Sequence, residues 1–208
     1  MKINLVFNQT QSIIVDKPDQ IKLAIACLLS GGNLLLEDRP GMGKTSLMKT
    51  LAKLFGLPAN RIQFTNDMLP ADIIGTSVFE TDSSKFKFVK GPIFTNFILA
   101  DEINRASPRT QSAFLQAMEE SRINIDGNTY DLPKPFIVIA TQNPLDLQGT
   151  FSLPESQIDR FMMRLTLGPP SREAEREILQ GEARNTTINR LKAVLNPNEV
   201  NQIIEEVN

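Results

Sequence analysis

Residues 33–54 read NLLLEDRPGMGKTSLMKTLAKL, and this stretch decides the fold of the 208-residue chain. Residues 33–37 form a short apolar run, which is typical of a strand that is buried on both faces of a parallel sheet. From Lys44 onward, leucines recur at helical spacing and predict a helix with one buried face. The glycine-rich segment between the two predicts a tight turn from a strand into a helix.

This turn has the composition of a phosphate-binding loop. Glycine allows backbone N–H groups to surround phosphate oxygens, and the positive end of the helix dipole favours an anion there. Lys44 can reach the terminal phosphates of a nucleotide, and Thr45 can hold magnesium. An ordinary glycine-rich turn is the alternative. The predicted loop consists of Pro40, Gly41, Met42, Gly43, Lys44, Thr45 and Ser46.

One position departs from the usual phosphate-loop pattern, which has glycine six residues before the lysine. This chain has Asp38 there. A carboxylate beside phosphates is repulsive. We therefore expect Asp38 to point away from the phosphates, or the loop to have a different shape.

A pair of acidic residues follows a second apolar run, FILAD at residues 97–101. Ligands of parallel sheets bind beyond the carboxyl ends of the strands. Asp101 is therefore a candidate magnesium ligand, and Glu102 a candidate base that polarises an attacking water. If the chain had no phosphate loop, the simpler interpretation would be that both residues are exposed carboxylates in a turn.

Two further residues are candidates for nucleotide hydrolysis. Asn143 follows the predicted strand at residues 136–141 and could hydrogen-bond the attacking water or the terminal phosphate, although Asn-Pro also begins many turns. Arg160 could neutralise charge on a phosphoryl group, across a subunit interface in a ring. A solvated arginine is the alternative, and Arg105 and Arg109 compete for the same role.

The rest of the chain alternates strands and helices, which predicts an α/β fold with a parallel five-stranded sheet covered by helices on both faces. We predict the other strands at residues 61–65, 97–101, 136–141 and 163–167, and helices at 18–29, 68–73, 107–121 and 154–161. Two inserted β-hairpins are predicted at 77–89 and 122–132. Residues 1–168 would form the nucleotide-binding domain, and 169–208 the start of a helical lid.

Composition excludes several classes of function. The chain has no histidine, so it has no Ser-His-Asp or Cys-His catalytic system and no His-ligated metal. The net charge of −2 offers no broad surface for nucleic acid or anionic membranes, so neither partner is expected. No apolar run approaches the roughly 20 residues of a membrane span.

Cys27 is the only cysteine, and its apolar surroundings predict a small buried side chain. A single cysteine cannot form an internal disulfide, so we expect a cytoplasmic protein.

Four long segments together resemble the AAA+ ATPases and, within them, the MoxR family. They read LLLEDRPGMGKTSL, RIQFTNDMLPADIIGT, LADEINRASPRTQSAFLQAMEE and FIVIATQNPLDLQGTFSLPESQIDRF. The resemblance covers about residues 13–208, and this family also has an acidic residue at the place of Asp38. One departure is Val15-Asp16-Lys17, where many relatives have Val-Gly-Gln.

The resemblance implies a role for each candidate residue. Lys44 and Thr45 would belong to Walker A, Asp101 and Glu102 to Walker B, Asn143 would be sensor 1, and Arg160 would be the arginine finger. The cofactors implied are ATP and Mg²⁺. The hairpin at 77–89 would be the insert in the second helix and the hairpin at 122–132 the one before sensor 1, both facing a central pore or a partner.

The resemblance also implies partners. Relatives form hexameric rings and act as chaperones that mature or load metal into client complexes, often beside a von Willebrand factor A domain protein. Two alternatives stay open. The chain could be an ATP-binding switch or scaffold with little turnover, or it could belong to a related AAA+ branch, that of the magnesium chelatase motor subunit or one that works on DNA.

Overall fold

A computed structural model describes residues 2–207 apart from 40, 83, 145–148 and 181–183. Its strands are β1 (Leu34–Glu37), β2 (Ala59–Gln63), β3 (Gly75–Glu80), β4 (Lys85–Lys90), β5 (Phe97–Asp101), β6 (Arg122–Ile125), β7 (Asn128–Asp131), β8 (Ile137–Gln142) and β9 (Met163–Leu165). Its helices are α1 (Lys2–Gln11), α2 (Pro18–Leu29), α3 (Lys44–Leu54), α4 (Pro70–Ile74), α5 (Pro108–Glu120), α6 (Glu155–Ile158), α7 (Arg172–Gln180), α8 (Arg184–Arg190) and α9 (Pro197–Val207). A 3-10 turn covers Ile103–Arg105.

The central sheet has five parallel strands in the order β2-β5-β8-β1-β9. Each predicted core strand is present, so the predicted α/β architecture is confirmed. Alternate residues of β1 enter different cores, because successive side chains of a strand point to opposite faces. Leu34 and Leu36 pack with α2 and α3, whereas Leu35 packs with α5. Helices therefore cover both faces of the sheet.

Both predicted hairpins are present as separate two-stranded antiparallel sheets, β3-β4 and β6-β7. They contact each other through Phe88 and Tyr130, whose ring centroids lie 4.3 Å apart. Phe79 and Phe86 lie near the turn that connects β3 to β4. Their exposed rings meet edge to face. The two insertions therefore form one continuous structure beside the main sheet.

Several element boundaries differ from the predictions. β2 covers Ala59–Gln63 rather than 61–65, and α6 covers Glu155–Ile158 rather than 154–161. The helices α1 and α8 were missed. α1 has only ten residues and buries two of them, Val6 and Thr10, so packing against α2 and α3 stabilises it rather than its own length.

The sheet brings the carboxyl ends of four strands to one edge. In the parallel register Gln63 lies opposite Asp101, Ala100 lies opposite Ala140, and Glu37 lies opposite Gln142. The carboxyl ends of β1, β2, β5 and β8 are therefore level with one another. The segments that follow them meet in space although they are far apart in sequence.

Among the described residues, no helix combines the length and apolar character that a membrane crossing requires. The longest of the described helices, α5, has 13 residues and is amphipathic.

A buried glutamine connects two segments near this edge. Gln111 on α5 is 1% exposed, and its Nε2 donates to the carbonyl oxygens of Ile103 (3.2 Å), Ala106 (3.1 Å) and Phe151 (2.9 Å). One side-chain amide therefore satisfies the carbonyls of the turn after β5 and of the segment before α6.

We predict that Gln111→Leu lowers the free energy of unfolding by about 2 kcal/mol, because the carbonyls of Ile103, Ala106 and Phe151 lose the side-chain donor that they share while the side chain keeps its size. Gln116→Leu on the same helix is the matched control, since Gln116 is exposed and bonds only Glu120 among the described contacts; it should change stability by less than about 0.5 kcal/mol. Urea titration followed by circular dichroism measures both. Equal effects of the two substitutions would contradict the role given to Gln111.

Candidate functional site

A cavity of about 290 Å³ lies at the edge where the strand ends meet. It is lined by Gly41, Gly43, Lys44, Thr45, Ser46, Asp101, Glu102 and Asn143. Three segments that the sequence analysis selected separately thus surround one space. Of the predicted loop residues, Met42 does not line this cavity and Pro40 lies outside the described residues.

The loop after β1 has the backbone shape that its glycines allow. Gly41 and Gly43 both have φ of 85°, in the left-handed region that side chains with a Cβ rarely adopt. Gly43 is the residue before the first turn of α3, so the free N–H groups of that turn face the cavity beside it. Eleven residues of helix contribute their dipole to this end. An anion is therefore favoured at the mouth of α3.

Lys44 lies in a strongly negative environment. Its Nζ donates to the backbone carbonyl oxygen of Asp38 at 2.6 Å. Burial lowers the pKa of Lys44, and the charges of Asp38, Asp101 and Glu102 act in the opposite direction and raise it. The ammonium group is thus the central cation of a cavity with several anions.

Asp38 is held by backbone N–H groups. Its Oδ1 accepts from Arg39 at 2.9 Å and its Oδ2 accepts from Gly168 at 2.7 Å, and the residue is buried. The carboxylate is therefore bound to the segment after β9. This arrangement agrees with the first of our two expectations, that Asp38 is turned from the phosphate loop.

Asp101 is 8% exposed, and both of its carboxylate oxygens are engaged. Arg61 on β2 donates to Oδ2 from Nε at 3.1 Å and from Nη2 at 2.6 Å. Thr141 on β8 donates from Oγ1 to Oδ1 at 2.6 Å. The neighbouring strand on each side of β5 thus supplies a donor to this one carboxylate.

Glu102 stands in a left-handed conformation with φ of 56°, which is uncommon for a residue with a side chain. Its backbone N–H donates to Thr141 Oγ1 at 2.9 Å, which holds this geometry. Its Oε2 accepts from Gln63 Nε2 at 3.0 Å and lies 3.0 Å from Arg105 Nε. Thr141 therefore connects the two acids, because it donates to Asp101 and accepts from Glu102.

The sequence analysis missed Arg61, Gln63 and Thr141. Arg61 and Gln63 are alternate residues of β2 and so point to the same side of the sheet. The order of the strands was the missing information, because only the pairing of β2 with β5 places this side next to the acids. The sequence around Thr141 contains no motif that predicts a role in the site, and only its position at the end of a strand could have indicated one.

Two other predicted residues lie in different surroundings. Asn143 lines the cavity, and its carbonyl oxygen accepts from Asn104 Nδ2 at 3.3 Å. Arg160 does not line the cavity. It pairs with Glu119, and its Nη1 lies 3.4 Å from the carbonyl oxygen of Leu115, at the carboxyl end of α5. The structure therefore gathers every predicted acid and Asn143 around the cavity but leaves Arg160 elsewhere on the same chain.

The residues at the departure from the family pattern hold the segment after β9. Asp16 has φ of 65°, in the left-handed region that favours glycine. Asp16 Oδ2 accepts from the backbone N–H of Ser171 at 3.2 Å, and Lys17 Nζ donates to the carbonyl oxygen of Pro169 at 2.7 Å. These contacts fix the beginning of residues 169–208 against the start of α2.

Cys27 is buried, as predicted. Burial raises the pKa of its thiol to about 11, so the thiol is protonated and unreactive at neutral pH. It plays no part in the chemistry of the cavity.

The donor set of the cavity fits magnesium. Mg²⁺ prefers oxygen ligands and keeps several waters, so it usually takes one or two protein ligands together with substrate phosphates. Thr45 and Asp101 line the cavity beside the predicted phosphate loop, and their hydroxyl and carboxylate meet that requirement. Within the described part of the chain, no group of three or more His, Cys, Asp or Glu residues could hold a metal by itself. A metal at this site would therefore depend on bound phosphate.

Comparisons with known proteins agree with this geometry. Residues 33–163 match the AAA_3 family, described as "ATPase family associated with various cellular activities (AAA)". The chain is 46% identical over 183 residues to the uncharacterized protein YeaC of Bacillus subtilis and 44% identical over 171 residues to Chaperone MoxR1 of Mycobacterium tuberculosis. These alignments cover 88% and 82% of this chain, but 57% and 45% of the two relatives. The chain thus spans about half the length of these curated relatives.

A solved structure shares the fold. The crystal structure of a proposed ATPase from Cytophaga hutchinsonii superposes with a TM-score of 0.84 and is 40% identical in sequence. The match covers 99% of this chain and 62% of that one.

We predict that Thr141→Val destabilises the protein by about 2 kcal/mol, because it removes the donor to Asp101 and the acceptor of the Glu102 N–H at a fully buried position. Thr141→Ser keeps the hydroxyl and should cost less. Thermal and urea unfolding measure both variants. A valine variant as stable as the serine variant would show that the hydroxyl does not hold the two acids.

Proposed function

The chain belongs to the AAA ATPases and, within them, to the MoxR family, and from this premise we propose that it binds ATP with Mg²⁺ and hydrolyses it to remodel partner protein complexes. One observation carries the proposal. The phosphate loop, both acids after β5 and Asn143 line a single cavity at the end of α3. ATP hydrolysis needs an anion cradle, a metal ligand and a base in that relation.

The loop residues bind the phosphates. Backbone N–H groups at the start of α3 surround their oxygens, and Lys44 supplies the positive charge nearest the terminal phosphates. Thr45 and Asp101 hold the magnesium ion. When bound, that ion neutralises negative charge on the phosphates and fixes their orientation.

The remaining residues of the cavity act on the attacking water. Glu102 accepts its proton, and the left-handed turn at Glu102 directs the carboxylate out of the strand toward the cavity. Asn143 donates a hydrogen bond to the water or to the terminal phosphate, which orients the two reactants. Because the residues lie on adjacent strand ends, their spacing is set before the substrate binds.

A second candidate function is an ATP-dependent switch with little turnover. It is favoured by the contacts of Glu102, because Gln63 and Arg105 both engage its Oε2 and would compete with water for that oxygen. In such a protein, ATP would bind and change the contacts with a partner, and phosphate release would be slow without that partner.

Arg160 completes the proposal from a second copy of the chain. It does not line the cavity of its own chain and contacts the end of α5 instead, which supports action at the site of a neighbour. We propose a closed homo-oligomer, six-membered as the resemblance implies, in which each Arg160 neutralises charge on the phosphoryl group bound by the adjacent subunit. Its pair with Glu119 would then break on assembly.

The client contacts belong to the inserted hairpins. Phe79 and Phe86 expose half or more of their surface at the tip of β3-β4, which is costly in water and favourable against a protein partner. The name of the mycobacterial relative describes that protein as a chaperone, and we extend the role to this chain. A von Willebrand factor A domain protein is the accessory partner that the resemblance implies.

We predict that Glu102→Gln preserves ATP binding but lowers the rate of phosphate release at least 100-fold, because the amide cannot accept the proton of water. Glu120→Gln is the matched control, since Glu120 is an exposed carboxylate on α5 that accepts from Gln116. Fluorescent nucleotide binding and steady-state phosphate release separate the two effects. Undiminished hydrolysis by Glu102→Gln removes Glu102 from this role, and slow wild-type release that a partner accelerates favours the switch.

We also predict that Lys44→Ala and Arg160→Ala are each inactive but recover part of the activity when mixed. A mixed oligomer contains sites with Lys44 from one chain and Arg160 from the other. Arg105→Ala and Arg109→Ala, tested in the same mixing assay with Lys44→Ala, decide between the three arginines. Mixtures that stay inactive while wild-type mixtures assemble would contradict action across the interface.

A further inference from the structure

Arg61 occupies the carboxylate that the proposed function assigns to magnesium. Both of its contacting nitrogens donate to the same oxygen, Asp101 Oδ2, while Thr141 donates to Oδ1. A carboxylate has about four acceptor positions. Contacts with the described residues therefore take three of them, and both positions of Oδ2 belong to Arg61.

A magnesium ion and this guanidinium group exclude each other at Asp101. The metal needs an oxygen lone pair for direct coordination. In addition, a divalent cation close to a fixed positive charge is repelled by it. We infer that Arg61 is an internal counter-ion that holds the place of Mg²⁺ on Asp101 and leaves when Mg²⁺ and nucleotide bind, an inference that rests on the proposed function.

The exposure of the pair makes displacement feasible. Arg61 is half exposed, with 49% of its side-chain surface accessible, whereas Asp101 is nearly buried. Water screens the exposed side of such a pair, so the pair stabilises the protein less than a fully buried ion pair would. The pair is therefore strong enough to neutralise Asp101 while the metal is absent, and weak enough for a divalent cation to replace it.

The fold also provides room for the displaced side chain. Arg61 lies on β2, the edge strand of the sheet, and lines a separate open groove of about 770 Å³ between α3, β2 and α8. A change of side-chain rotamer, without movement of β2, can carry the guanidinium from Asp101 into this groove.

Replacement of Arg61 by Mg²⁺ couples metal binding to the contacts of Asp101. While Arg61 is in place, the charge of Asp101 is neutralised, so the empty site does not accumulate repulsion among Asp101, Glu102 and Asp38. The two effects are linked: Mg²⁺ weakens the Arg61–Asp101 contact, and the contact lowers the affinity of the site for Mg²⁺ by the same factor. Removing Arg61 should therefore tighten magnesium binding, whereas a residue that merely orients Asp101 for the metal would have the opposite effect when removed.

The test is a magnesium titration of nucleotide binding by Arg61→Gln, Arg61→Lys and wild-type protein. A fluorescent ATP analogue at fixed concentration reports binding as Mg²⁺ is added, and EDTA gives the metal-free baseline. Arg61→Gln should lower the Mg²⁺ concentration at the midpoint about threefold to tenfold, because one unit charge near a divalent cation is removed. Arg61→Lys retains the charge and should stay within about twofold of wild type.

Arg105→Gln is the charge-matched control. It removes a guanidinium group from the neighbouring carboxylate of Glu102 rather than from Asp101, and its midpoint should shift less than half as far on a logarithmic scale. An unchanged or raised midpoint in Arg61→Gln overturns the inference, and so does an equal shift in Arg105→Gln. Wild-type protein that binds nucleotide with Mg²⁺ leaves the proposed function standing in those cases, whereas wild-type protein that binds no nucleotide overturns both.

Thermal unfolding gives a second readout that needs no turnover. Arg61→Gln should unfold at a lower temperature than wild type without ligand, because Asp101 loses its cation, and should regain the difference when Mg²⁺ and ATP analogue are present. The ligand-induced rise in the unfolding temperature is thus larger in the variant. A rise equal to that of wild type would contradict the exchange.

Discussion

Two carboxylates at the end of one buried strand must be compensated, and the arrangement of the other strands around β5 meets this requirement. β2 and β8 flank β5 in register, so Arg61 and Thr141 reach Asp101 from opposite sides. The hydroxyl of Thr141 also accepts the N–H of Glu102 and keeps that residue in a left-handed turn. Without these contacts the two carboxylates would lack partners and would be free to turn away from the cavity.

The rest of the molecule keeps these strand ends level. Apolar side chains on both faces of β1 pack against helices on either side, which leaves the sheet little freedom to slip. Gln111 binds the turn after β5 to the segment before α6, and Asp38 binds the end of β1 to the segment after β9. A polar edge is therefore supported by an apolar interior and by a few buried hydrogen bonds with well-defined partners.

Local patterns were sufficient for much of the site. Lys44 and the glycines before it form a contiguous motif between a strand and a helix, and Asp101-Glu102 directly follow an apolar run, so both could be predicted from neighbouring residues. Arg61 and Gln63 could not, because their role comes from strand pairing rather than from adjacent sequence. The helix α1 was missed for a related reason, since a ten-residue helix depends on packing against α2 and α3.

The sequence by itself determined the class of fold, the five core strands, the two hairpins and the residues of the candidate phosphate loop. These properties follow from composition and spacing over a few residues, where steric and hydrophobic preferences act locally. Only the tertiary structure decided what neutralises Asp101, what holds Glu102, and that Arg160 lies away from the cavity of its own chain. Those outcomes depend on which strands are neighbours, and strand order is a property of the whole packed chain.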